Sequence, residues 1–129
     1  MNRVVIDASA LVALAFNEPG ADEVGRRLEG AAVAAPVLLK FELANVAWKK
    51  IRRHPGLERA ILRALAEALG PRTGIRWVDV DPVDAVRLSL ATGLTAYDAA
   101  YVWLAGMLGA DLVTLDKRIA RATAKSPEP

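Results

Sequence analysis

Short runs of strand-forming residues alternate with longer helix-forming segments, and this alternation constrains the chain more than any other feature. Val4 to Ile6 is β-branched and ends at Asp7, while Ala32 to Ala35 is a small-residue run ended by Pro36. Trp77 to Val80 and Asp111 to Leu115 supply two more short runs. Ser9 is placed to cap a helix from Ala10 to about Asn17, which Pro19-Gly20 breaks. Asp22 to Leu28 reads as a second helix with Gly30 after it, and Val37 to Arg53 as a third, stopped by His54-Pro55-Gly56. Leu57 to Leu69 sets Ile61, Leu62, Leu65, Ala68 and Leu69 on one face. Pro82 opens a helix that runs to Thr92, with Gly93 as its stop. Thr95 opens another, in which Tyr101, Leu104, Ala105 and Leu108 recur at helical spacing up to Gly109. Lys117 to Ala124 is a last short helix. Strands separated by helices predict an α/β fold with a parallel sheet covered on both faces.

At 129 residues the chain suffices for one domain with its own core, expected over residues 1–125, followed by a disordered tail at 126–129. The absence of cysteine excludes disulfides, thiolate metal sites and thiol nucleophiles, and the one histidine, His54, excludes chemistry that needs a histidine pair. Neither a secretory leader nor an apolar run of membrane length is present, so a cytoplasmic protein is expected. The net charge of +2 permits a polyanionic partner without demanding one.

The chemistry that remains lies in carboxylates. Asp7 ends the first strand, Asp116 ends the last, and Asp98 opens the helix before that last strand. In an open α/β sheet the carboxyl edge of the strands is where ligands bind. Glu42 lies one turn into the Val37–Arg53 helix among Leu38, Leu39, Leu43 and Val46, an unusual setting for an acid, and Asn45 shares its face. Each acid also has an ordinary account. Asp7 suits a turn before a helix, Asp98 half of a capping box, Asp116 the cap of the last helix, and Glu42 an edge position paired with Lys49 or Lys50. Magnitudes favour a joint role. Two carboxylates about 4 Å apart repel by ~4 kcal/mol at an effective dielectric of 20. Several together would offset a small domain's whole stability of ~5–15 kcal/mol unless a cation or protons compensate them. Oxygen ligands alone suit the hard cations Mg²⁺ or Mn²⁺, and such an ion suits phosphodiester hydrolysis.

The stretches VVIDASALVAL, PVLLKFELANV, LTAYDAAYVWLA and LVTLDKRI, in this order, carry a resemblance to the PIN-domain family that covers nearly the whole chain. Within that family the sequence resembles the VapC-like toxins of toxin–antitoxin pairs. The resemblance implies a three-layer α/β/α domain and a metal-dependent endoribonuclease that leaves a 5′-phosphate and a 3′-hydroxyl. It makes Asp7, Glu42, Asp98 and Asp116 the catalytic, metal-holding set for Mg²⁺ or Mn²⁺. Ser9 and Thr114 match hydroxyl positions beside Asp7 and Asp116, and Thr95 matches the start of the Asp98 helix. One departure is the end KSPEP, where many relatives have a further strand.

The implied partners are RNA, a cognate VapB-like antitoxin and a second copy of the chain. The helices Val37–Arg53 and Leu57–Leu69 are candidates for the antitoxin groove, with Phe41 and Trp48 as contacts. Two other functions compete: a PIN-type nuclease of RNA processing, and a receiver-like phosphoacceptor domain, in which Lys117 would follow a strand. The receiver lacks support, since it needs an adjacent acidic pair where this chain has Asp7-Ala8-Ser9.

Overall fold

The first strand, β1 (Arg3–Ile6), forms from consecutive β-branched residues, and Val4, Val5 and Ile6 are all buried. It runs without a linker into α1 (Ala8–Ala15), then α2 (Ala21–Leu28), β2 (Ala32–Pro36) and α3 (Leu38–Arg53). A single 3₁₀ turn at Pro55–Leu57 leads into α4 (Glu58–Leu69), and another at Pro71–Thr73 leads into β3 (Arg76–Val78). The chain continues through α5 (Pro82–Thr92), α6 (Ala96–Leu108), β4 (Asp111–Val113) and α7 (Lys117–Lys125). This computed structural model describes residues 2–125, and the tail expected at 126–129 lies outside the described residues.

All strand pairs are parallel, in the order β3-β2-β1-β4. Val4 pairs with Val33 on one side of β1, and Val5 with Leu112 on the other. Ile6 and Val33 point toward α1, α2 and α4, whereas Pro36 points toward α5 and α6. Helices thus cover both faces, giving the expected three-layer α/β/α architecture. The order places β2 and β4 on opposite sides of β1. The gap between the carboxyl ends of β1 and β4 is therefore the switch point, the crevice where open α/β sheets bind ligands.

Helix punctuation follows the sequence closely at α5 and α6. Asp81 caps α5 by accepting from the Val83 N–H, and Gly93 ends it at φ +78°. Thr95 caps α6 and Gly109 ends it at φ +60°, a left-handed conformation that glycine adopts without strain. Three expectations are corrected. Asp7, not Ser9, is the N-cap of α1: its backbone is still extended and its carboxylate accepts from the Ala10 N–H at 3.0 Å. Ser9 already lies inside the first turn. The strand expected at Asp111–Leu115 stops at Val113, because the N–H groups of Leu115 and Asp116 turn to the hydroxyls of Ser9 and Thr114. The strand expected at Trp77–Val80 is displaced to Arg76–Val78, in register with Ala34–Pro36.

Candidate active site at the carboxyl edge of the sheet

Asp7 stands at the end of β1 and is 1% exposed. One of its carboxylate oxygens accepts from the Ser9 hydroxyl at 2.7 Å and from the Ala10 N–H, and the other accepts from the Thr114 hydroxyl. Those two hydroxyls also bind the chain leaving β4: Ser9 Oγ accepts from the Leu115 N–H and Thr114 Oγ1 from the Asp116 N–H, each at 2.9 Å. The ends of β1 and β4 are thus tied together through Asp7 itself. Burial raises the Asp7 pKa; its three hydrogen bonds pull it down and the nearby Asp116 charge adds to the rise, leaving it above the ordinary value.

Glu42 enters from α3. Its ordinary account fails, because Lys50 pairs with Glu18 while Glu42 accepts from the Tyr101 hydroxyl. Tyr101, on the inward face of α6, is 1% exposed, so its phenol has Glu42 as a fixed partner in the interior. Desolvation raises the Glu42 pKa, and Asp98 and Asp7 push it further in the same direction against the Tyr101 hydrogen bond. The Tyr101 phenol is pushed far above its ordinary range, first by burial and then by Glu42. Asn45, by contrast, is exposed.

Asp98 and Asp116 form the outer half of the site. The Thr95 hydroxyl accepts from the Asp98 N–H at 3.2 Å, which fixes the first turn of α6 and leaves the Asp98 carboxylate free of capping duty. Asp116 does cap α7, through one oxygen that accepts from the N–H of Arg118 at 2.8 Å and of Ile119 at 3.4 Å. Its other oxygen meets the Arg118 guanidinium at 3.0 Å, and the same nitrogen lies 3.4 Å from Asp98. The Asp116 pKa is lowered: its slight burial would raise it, but the Arg118 hydrogen bonds and charge prevail.

The structure therefore brings Asp7, Glu42, Asp98 and Asp116 to one end of the sheet: Asp7 feels the charge of Asp116, Glu42 feels those of Asp98 and Asp7, and Arg118 touches both Asp98 and Asp116. Among the described residues, no three of these acids close into a ready-made metal cage as the side chains lie. The donor set nevertheless fits a hard cation. It is all carboxylate, its two inner members are held partly desolvated with raised pKa values, and its two outer members already share one cationic group. Sequence reasoning missed Tyr101 and Arg118. Tyr101 lies one helical turn after Asp98, which was the available signal, whereas Arg118 resembles any surface arginine of a terminal helix.

Comparison with known proteins bears on the family and the fold. The family model described as PIN domain matches residues 4–125. The chain is 36% identical over 124 residues to Ribonuclease VapC3 of Pyrobaculum aerophilum, covering 92% of each protein. It is 32% identical over 120 residues to Exonuclease VapC9 of the same organism, covering 92% of this chain and 84% of the relative. The crystal structure of PAE2754 from Pyrobaculum aerophilum superposes with a TM-score of 0.77 at 28% identity, covering 98% of this chain and 88% of that one.

Proposed function

The chain belongs to the PIN-domain family, and on that footing we propose that it is a metal-dependent endoribonuclease, a VapC-like toxin held in check by a cognate VapB-like antitoxin. The observation that carries this reading is the convergence of Asp7, Glu42, Asp98 and Asp116 on the switch point between β1 and β4. Helix capping accounts for one oxygen each of Asp7 and Asp116 and for neither Glu42 nor Asp98. Asp7 and Glu42 are oriented by the Ser9, Thr114 and Tyr101 hydroxyls, while burial makes their charged forms costly, a cost that a bound cation would offset. A bound Mg²⁺ or Mn²⁺ supplies Lewis-acid polarisation of a phosphoryl oxygen and lowers the pKa of an attacking water. Asp98 and Asp116 stand at the rim, where a phosphodiester backbone can reach them.

The surface supports the proposed partners. Phe41 and Trp48, seven residues apart on α3, are 74% and 53% exposed, an apolar ridge suited to an antitoxin segment. A cleft of about 360 Å³ lined by Leu11, Leu14, Leu28, Ala68 and Ile75 offers such a segment a second seat. Val83, Val86 and Leu90 form an exposed apolar stripe on α5, a natural contact for a second copy of the chain. No helix among the described residues is long and apolar enough to cross a membrane. We place the protein in the cytoplasm, where RNA and antitoxin are available.

The similarity to a relative named as an exonuclease favours one second reading, trimming from an RNA end. Incubation of linear and covalently closed RNA of one sequence with the purified chain, in Mg²⁺ or in chelator, separates the two. The endonuclease opens the circle in Mg²⁺ only, whereas an intact circle beside a degraded linear RNA would establish the exonuclease. Growth arrest on expression, relieved by a co-encoded partner, distinguishes a toxin from an RNA-processing enzyme.

A further inference from the structure

Arg118 holds an unusual position for an exposed arginine. Its backbone N–H donates to one oxygen of Asp116 while its guanidinium donates to the other, so the residue grips both. The same guanidinium nitrogen reaches Asp98, on a different helix and 20 residues earlier. One cationic group thus lies against one oxygen from each outer carboxylate. The Arg118 side chain is 63% exposed, so water can replace its two carboxylate contacts. Among the described residues, the partners of Asp7 and Glu42 are hydroxyls and a backbone N–H, not a cation.

We propose that Arg118 is a built-in counter-cation of the acidic site, one that holds Asp98 and Asp116 together in the metal-free protein and leaves when a divalent ion binds. The inference rests on the metal-site reading above. Metal-free, the outer carboxylates would repel each other across the mouth of the crevice, and the guanidinium removes that repulsion without neutralising the inner pair. A divalent ion held by Asp98 and Asp116 would compete with both Arg118 contacts and would face the guanidinium charge nearby. Arg118 therefore opposes ion binding, and its removal strengthens it. Exposed ion pairs are weak, so the expected gain is about two- to fivefold in affinity.

The test is calorimetric titration of Mn²⁺ into wild type, Arg118→Ala and Arg118→Lys at one pH and ionic strength, with a thermal melt of each. Arg118→Ala should bind Mn²⁺ about two- to fivefold more tightly, with Arg118→Lys between it and wild type. The direction discriminates, because a residue that merely supported the site would weaken ion binding when removed. Equal or weaker binding by Arg118→Ala, with wild type still binding Mn²⁺, would overturn the inference alone. A wild type that binds no Mn²⁺ would overturn the metal site and this inference together.

Discussion

Tyr101→Phe isolates the least expected contact of the site. The substitution keeps the buried ring and removes only the hydroxyl that donates to Glu42. A hydrogen bond to a charged group contributes about 1.5–3 kcal/mol. Glu42 retains partial access to water, so the lower figure applies, and one pH unit corresponds to about 1.4 kcal/mol. Burial already raises the Glu42 pKa above its ordinary 4.5, and loss of the donor raises it further. A carboxyl with a raised folded pKa stabilises the fold through its protonated form; that contribution is complete below the unfolded value and is lost as pH rises through the folded one. Tyr101→Phe should therefore lie closest to wild type at low pH, where Glu42 is protonated in both. It should fall behind by about 1–2 kcal/mol once Glu42 ionises. The same loss moves the pH midpoint of Mn²⁺ binding upward. Denaturant melts and Mn²⁺ titrations across pH 4–9 read both effects. In a Glu42→Gln background the hydroxyl should matter much less. Superimposable pH profiles, or an undiminished effect in that background, would refute the role assigned to Tyr101.

Asp7→Asn should abolish Mn²⁺ binding and yet melt no lower than wild type at pH 8, because ionised Asp7 is buried at a cost its hydrogen bonds only partly offset; a melt shows the sign directly. Gly20→Ala should destabilise by about 1–2 kcal/mol in denaturant unfolding, since Gly20 sits at φ +96° and a Cβ there would lie 2.7 Å from Leu115 Cδ1. Val86→Glu with Leu90→Glu should convert the proposed dimer to monomers in sedimentation, since both side chains stand exposed on α5. Phe41→Ala with Trp48→Ala should weaken antitoxin binding, and unchanged affinity would leave the cleft beside α4 as its seat.

The sheet, its parallel sense and the main helices were legible because turn residues bound each short run. Pro82 and Gly93 bracket α5, and Thr95 and Gly109 bracket α6. Asp7, Asp98 and Asp116 were legible for a related reason: each sits at an element boundary, and the fold carries boundaries to one edge. Their ordinary accounts proved compatible with the site, since Asp7 and Asp116 cap helices with one oxygen and turn the other elsewhere. Ser9 was misread as a cap because β1 passes into α1 with no linker, which moves the cap back to Asp7. Tyr101 was legible as a core position, but its donation to a residue 59 positions away depends on how α6 crosses α3, which periodicity does not encode. Arg118 was hidden for the opposite reason. Its partner Asp116 is local, yet the contact with Asp98 exists only once α6 and α7 meet.

The central claim is that these four acids hold a divalent ion that drives RNA cleavage. It is tested most directly by cleavage of total cellular RNA in Mg²⁺, with chelator and with Asp98→Asn as controls, and with the new ends mapped. The account predicts cuts in Mg²⁺ that carry 5′-phosphates and disappear with chelator and in Asp98→Asn, whose melting temperature stays near that of wild type. Cleavage that persists in chelator, or an Asp98→Asn protein as active as wild type, would contradict it.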